Sequence, residues 1–428
     1  MSTGDMKNES VYAQERLDQF LHGRAKEMGM SRRRFFQLLG AGTGAAALAG
    51  LPIPGIVSQA HASHVGSTVK PVPADLFYAL GSNYEMRWEV MANKGYLVPI
   101  ENFFVRSHTR TPHIDLSTYR LKIFGTGVEN EIELTYDDIM SMAMESETKY
   151  IECAGNARKL FGQQGGCSPP GGTQWLLGGI GVAEWTGVPL RDIFERAGVK
   201  KTAVDVMASG LDPTVGTNGH VRKPISLEKA FEDDTLVVVA MNGQTLPEDH
   251  GFPIRLLVPG WGGINSTKWV GSIEVSETPL YSLWNTTTYV LENGPAAGCS
   301  PGFYPCPPPV VKEQTMKSAF ELAWPKDGVP ATIPIGRAIT GRAWSPHHKI
   351  EKVEVSVDGG PYQEAVLSKH NIPQAWARFR IELALTPGTH TLRSRATDKQ
   401  GNVQPDTVPC NRQGYLYNAV VRHDITVV

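Results

Sequence analysis

The sequence has no C-x-x-C-H run, no H-E-x-x-H run and no paired C-x-x-C, so neither covalently attached haem nor a zinc site finds support in it. It also lacks a dominant charge: 41 basic residues face 43 acidic ones, and a net charge of -2 sets up no global field toward nucleic acid or anionic lipid. No internal repeat or low-complexity tract occurs, although 44 glycines and 30 prolines among 428 residues call for many turns and irregular loops. Length alone allows two or three domains, each with its own core. A transmembrane span is missing too. The longest apolar stretch, LLGAGTGAAALAGLPIPGIV, is rich in Gly and Ala and broken by Pro52 and Pro54, whereas a spanning helix needs about 20 predominantly apolar residues.

That stretch follows SRRRFFQ (Ser31 to Gln37) and precedes Ala60-His61-Ala62, the order of basic region, apolar region and small-residue site that marks a twin-arginine export signal. Residues 1-62 are expected to be removed after Ala62, which places the mature protein in the periplasm. Twin-arginine export carries folded chains, which suits a cofactor inserted before export. The five cysteines are Cys153, Cys167, Cys299, Cys306 and Cys410, an odd number that leaves at least one without an internal partner. Cys299 and Cys306 flank a short SPGFYP segment and could close a small loop. Spacing does not fix the pairing among Cys167, Cys299, Cys306 and Cys410.

Beyond the signal, residues 71-279 alternate short strand patterns with helical ones, as an α+β domain does. YRLKIFG reads as a strand, EIELTYDDIMSM as a strand leading into a helix, and LRDIFERAGV and ISLEKAFEDD as amphipathic helices. TLVVVAMNGQTLP combines a β-branched run with an Asn242-Gly243 turn and reads as a hairpin. Residues 280-310 are a proline-rich connection, expected to wrap over a surface. From residue 311 to 428 the pattern becomes period two, in IEKVEVSVDGG, ARFRIELAL, GTHTLRSRATD and VRHDITVV, which implies an immunoglobulin-like β-sandwich.

One cysteine stands apart. In YIECAGNARKLFG, Cys153 ends a β-rich run at a Gly-Asn turn, with Arg158 and Lys159 following. It could be a packing residue, half of a disulfide, or a soft thiolate ligand for a transition metal. Two other segments gather donors: ENFFVRSHTRTP carries Arg106 and His108, and DHGFPIRLLVPGWGGINSTKWVGSIEV carries His250, Arg255 and Lys268 around a Gly-rich turn. Arginine, lysine and backbone N-H groups of such turns all hold phosphate.

Taken together, ENFFVRSH, ECAGNARK, GIGVAEWTGVPLRDIF, MNGQTLPEDHGFPIRLLVPG, STKWVGSIEV and RATDKQGNVQPDTV resemble the sulfite oxidase family of molybdenum enzymes, from about Tyr96 to the end, and within it the molybdenum subunits of sulfane dehydrogenases. The resemblance implies a sulfite-oxidase-type molybdopterin domain followed by an immunoglobulin-like β-sandwich dimerisation domain. It implies a molybdenum-molybdopterin cofactor with Cys153 as the protein's one metal ligand. Phe104, Val105, Arg106, Ser107, His108, Asp212, His250, Arg255, Ser266, Thr267 and Lys268 would hold the pterin, while Arg106, Arg158 and Tyr289 would face the substrate. Implied partners are a c-type cytochrome as electron acceptor, a sulfur-carrier protein as substrate, and a second copy through the C-terminal domain, with a heterotetramer as one assembly. The sequence departs from sulfite oxidases after Ala-Trp-Ser, where His347, His348 and Lys349 replace an arginine that binds sulfite. A bulkier sulfur substrate on a carrier's cysteine fits that change. The alternatives are sulfite dehydrogenation and, from another class, an exported β-rich binding module without chemistry.

Overall fold

The computed structural model describes residues 67-165, 167, 170-291, 309-324 and 330-428. The export segment, Cys299, Cys306 and most of the proline-rich connection therefore lie outside the described residues. The two ends of that connection meet, Val290 bridging Val310 in antiparallel fashion and Leu291 N-H donating to Pro309 O.

Two five-stranded sheets organise the N-terminal part. In the first, Leu236–Met241 lies between Ile180–Pro189 and the short Gln244–Thr245, also pairs with Arg255–Leu257, and Glu145–Glu152 forms the other edge. The expected hairpin forms at Asn242-Gly243, both at positive φ (51° and 71°), the twist a two-residue turn needs. In the second sheet Val270–Ser276 runs between Leu121–Phe124, to which it is parallel, and Asp205–Gly210; Ile132–Leu134 and Arg222–Ser226 are its edges. The helix expected in LRDIFERAGV spans Leu190–Ala197. It buries Leu190, Ile193, Phe194 and Ala197 and stops at Gly198, whose φ of 65° suits a C-terminal cap.

ISLEKAFEDD departs from its expected helix. Ile225 and Ser226 belong to the edge strand, and only Leu227–Ala230 is helical. Ser226 caps that turn by accepting from Lys229 N-H, and Thr235 Oγ1 donates to Lys229 O, so the turn is closed before a second one can propagate.

Beyond residue 310 the chain is β-rich. A four-stranded sheet contains Lys317–Phe320, Ile339–Trp344, Trp376–Ile381 and Val366–Asn371, in that order. A five-stranded sheet contains Ala331–Ile333, Arg422–Val427, Gly388–Asp398, Ile350–Val357 and Gln363–Glu364. Alternation along Arg422–Val427 sends His423, Ile425 and Val427 inward, and the two sheets close over Val353, Val355, Phe379, Leu392 and Ile425. The two parts also share a core. Ala319, Trp344, Ala375, Trp376, Tyr417, Ala419 and Val421 pack into the same cluster as Tyr150, Phe161 and Trp185.

Candidate functional site

Glu145–Glu152 is exposed at its start and buried over its last four residues, so the strand carries Cys153 into the interior at its end. The chain then turns sharply. Cys153 N-H donates to Gly179 O (2.8 Å), Asn156 N-H to Cys153 O (2.8 Å), and Arg158 N-H to Gly155 O (2.9 Å). The Asn156 side chain locks the turn from inside, donating to Glu152 Oε1 (2.9 Å) and accepting from Gly179 N-H (3.0 Å). A Cβ on Gly155 would stand 2.5 Å from Arg158 Nη2, so a larger residue there would have to push the guanidinium aside. Ala157 leaves the turn at φ 70°, a conformation that costs a non-glycine residue about 1 kcal/mol or more.

Cys153 is the free cysteine among the described residues, and it faces a cleft enclosing about 730 Å³ of non-protein space, part of it open to solvent. Phe104, Arg106, Ser107, His108, Asp212, His250, Arg255, Ser266, Thr267, Lys268 and Tyr289 line the same cleft. Residues from five separate stretches of sequence thus converge on one thiol. Two of the residues expected there do not line it. Val105 is spent on a backbone bridge to Tyr84, and Arg158 turns its guanidinium to Gln413 O (2.8 Å) and Thr173 O (2.7 Å). His347 also lies apart, exposed and paired with Glu313 (3.2 Å), and neither it nor His348 nor Lys349 is in the lining. The Cys167 thiol is joined to Cys410.

The cleft has two chemically distinct ends. Near Cys153, Arg106 Nη2 lies 3.0 Å from the His108 ring nitrogens and 3.5 Å from Tyr289 Oη, which is 3.1 Å from His108 Nε2. Burial and the neighbouring Arg106 and Lys268 hold His108 well below its ordinary pKa, so the ring is neutral. Burial opposes the charge on Arg106, but Tyr289 and Cys153 more than offset it and raise its pKa. Tyr289 sits at φ 53°, a second strained residue of the site.

At the other end, Lys268 Nζ donates to Ser107 Oγ (2.7 Å) and Asp249 O (2.8 Å), and Arg255 donates to His250 O and Ser266 O (both 2.9 Å). Burial, then the positive charge of Arg255, pulls Lys268 well below its ordinary pKa, and burial with Lys70, Lys268 and Arg255 does the same to His250. Three buried polar atoms here have no partner: His250 Nε2, Arg255 Nε and Thr267 Oγ1. Unpaired buried donors beside crowded cations are costly in an isolated chain, and an anionic, oxygen-rich ligand relieves both problems at once.

Among the described residues no group of three or more His, Cys, Asp or Glu could share a metal ion. The single thiolate of Cys153 suits a metal that brings its other ligands with it, as one bound by an organic dithiolene does. The soft thiolate at one end of the cleft and phosphate-type donors at the other fit such a group.

Asp249 was not anticipated from sequence, although it immediately precedes His250. Its carboxylate accepts from the Val69 and Lys70 N-H groups and from Thr111 Oγ1, tying the first described residues to the cleft wall. Tyr415 was also missed. Its ring stacks on Tyr289 (centroids 5.0 Å, 15°) from a segment more than 120 residues away, and no local signal marks such a contact.

Residues 108–284 match the oxidoreductase molybdopterin binding domain and residues 310–428 the Mo-co oxidoreductase dimerisation domain. Mitochondrial sulfite oxidase of Rattus norvegicus is 32% identical over 362 residues, covering 79% of this chain and 63% of that protein. Sulfite oxidase of Gallus gallus is 31% identical over 361 residues, covering 79% and 74%. The chain thus spans somewhat under two thirds of the length of its mammalian relatives. Among solved structures, the sulfane dehydrogenase SoxCD of Paracoccus pantotrophus matches with a TM-score of 0.68 at 27% identity, over 81% of this chain and 84% of that one.

Proposed function

The chain belongs to the sulfite oxidase family of molybdenum enzymes, and from that premise we propose that it oxidises sulfane sulfur carried on a partner protein's cysteine and delivers the electrons to a c-type cytochrome. The observation that carries the reading is the convergence of Cys153, the Arg106-His108-Tyr289 cluster and the unpaired anion-binding donors in one cleft. Cys153 is the metal ligand in this reading. His250, Arg255, Ser266, Thr267 and Lys268 hold the anionic end of the cofactor, with Phe104, Ser107 and Asp212 along its length. When bound, the molybdenum-molybdopterin group supplies two-electron oxidation with oxygen drawn from water.

The chain's own residues bind and orient. Arg106 lies where negative charge develops on the sulfur's oxygens and lowers its energy. Tyr289 offers a hydroxyl proton at the same place, and the neutral His108 ring takes or returns it across 3.1 Å. Each oxygen added releases two protons and two electrons. In this reading the electrons leave one at a time to a separate c-type cytochrome. Residues 1-62 act in the same reading as a twin-arginine export signal that takes the chain to the periplasm, and the dimerisation domain pairs two copies. Among the described residues, no helix is long and apolar enough to cross a membrane.

Sulfite dehydrogenation is the second reading, favoured by the vertebrate sulfite oxidases at 31% and 32% identity. The separating experiment offers purified protein sulfite and a carrier-bound persulfide in turn, with cytochrome c as acceptor. Faster turnover of the persulfide is expected, and equal or faster turnover of sulfite alone overturns the sulfane assignment. Metal analysis should find about one molybdenum per chain; a folded, metal-free exported protein would leave only a binding module.

A further inference from the structure

We propose that Tyr415, contributed by the C-terminal β-rich part, is a positioning residue that holds Tyr289 and Arg158 in place for the reaction in the cleft. The proposal rests on the reading of Tyr289 as a working residue of the site.

Tyr289 needs an external support because its own backbone does not favour its place. At φ 53° it occupies a region that non-glycine residues enter at a cost, so neighbouring contacts must hold it there. One ring face lies against Tyr415, nearly parallel at 5.0 Å, and Trp284 packs at 6.3 Å. The same Tyr415 ring receives the Arg158 guanidinium at 5.1 Å. Tyr415 does not line the cleft, so it acts through these two neighbours and not on the substrate.

The segment that presents Tyr415 is tied to the cysteine turn at several points. Leu416 N-H donates to Ala154 O (2.9 Å), beside Cys153, and Gln413 O accepts from Arg158 Nε (2.8 Å). Gln413 Nε2 donates to Thr287 O (3.0 Å), two residues before Tyr289. Asn411 closes the segment on itself, its Oδ1 accepting from Tyr415 N-H and its Nδ2 donating to Tyr415 O (both 2.9 Å). At its base, Cys410 is bonded to Cys167, and Gln164 exchanges two hydrogen bonds with Val408. A clamp anchored at Gln164, Cys167, Val408 and Cys410 thus delivers one aromatic ring to the tyrosine and the arginine behind the cleft.

The test compares Tyr415→Ala and Tyr415→Phe in the metal-loaded protein. Losing the stacked ring should lower kcat about tenfold while KM for the sulfur substrate and molybdenum content stay within about twofold. Tyr415→Phe keeps the stacked ring but gives up the hydroxyl's hydrogen bond to the Tyr289 backbone, so it should recover part of the loss. Combined with Tyr289→Phe, Tyr415→Ala should add less than its full single effect, what remains being the part lost through Arg158. Hydrogen exchange of the 284-291 peptide should quicken more in Tyr415→Ala than in Tyr415→Phe, a readout that stands whether or not sulfane sulfur is the substrate. The proposal is overturned if Tyr415→Ala leaves both kcat and exchange unchanged, or if its effect multiplies fully with that of Tyr289→Phe. A wild-type protein without turnover of any sulfur compound would defeat the functional reading instead, and exchange alone would then decide the tether.

Discussion

Cys153 and Lys268 mark the two ends of the cleft, and each supports a prediction at the scale of one side chain. Serine is nearly isosteric with cysteine, and the buried thiol makes no disulfide, so Cys153→Ser should change stability by no more than about 1 kcal/mol. Turnover should nonetheless be lost and the metal's absorption spectrum altered; unchanged turnover would end the ligand assignment. At the far end, pH dependence follows from crowding. Burial depresses the pKa of His250 there, and that of His108 at the Cys153 end, so between their folded values and 6.5 the unfolded chain binds more protons than the folded one. The two histidines' contribution to stability is therefore fully present above about pH 6.5 and is lost as the solution is acidified below it. In cofactor-free protein the melting temperature should drop from about pH 7.5 to pH 5, and His250→Gln should flatten the slope. A bound anion raises the His250 pKa again, so the cofactor-loaded protein should show a shallower slope. Equal slopes with and without cofactor would remove the anion from this end of the cleft.

At the scale of elements, the strand that ends in Cys153 depends on the glutamate just before it. Glu152 is fully buried and held by Lys317 Nζ (2.5 Å), Asn156 Nδ2 (2.9 Å) and Trp344 Nε1 (3.0 Å). Lys317→Met strands that carboxylate, a loss of about 3-5 kcal/mol when one partner of a buried pair is removed. Thermal unfolding should register it, and Glu152→Gln combined with Lys317→Met should recover much of it; a single variant as stable as wild type would mean the pair is dispensable. This network also marks what the sequence could and could not tell. The Asn242-Gly243 hairpin, the Leu190–Ala197 helix and the C-terminal period-two strands were legible because their signals are local. ISLEKAFEDD misled because its apolar spacing suits a helix while Arg222–Ser226 is recruited into a sheet by Asp205–Gly210, a tertiary choice. The residues around the thiol were legible only as a resemblance across scattered motifs. Glu152 with Lys317, Asp249 with Lys70 and Tyr289 with Tyr415 each join distant segments, and nothing in either segment alone announces the partner.

For the whole molecule, two sequence patterns do not make two independent stability units. Trp88 Nε1 donates to Phe320 O (2.8 Å), Tyr96 Oη to Trp376 O (2.6 Å), and Lys149 Nζ to Gln374 Oε1 (2.8 Å), across the line where the period of the sequence changes. Arg342, fully buried and paired with Glu321, donates onward to Met91 O (3.3 Å) and Gly95 O (3.0 Å). The shared core adds Trp344, Trp376 and Tyr417 to that of the N-terminal part. Opening either part would expose this apolar surface and leave buried charges without partners, so neither is expected to unfold alone. Calorimetry should record one transition for the cofactor-free chain, and two resolved transitions would refute the shared core. The Cys167–Cys410 bond closes a loop across 243 residues of sequence and so constrains the unfolded chain as a whole. Chain entropy sets its contribution at about 5 kcal/mol at most, and less where the unfolded state keeps structure. Reduction should therefore lower the melting temperature while the transition stays single, because the hydrogen-bonded interface and not the disulfide couples the two parts. A split into two transitions on reduction would assign that coupling to the covalent tie.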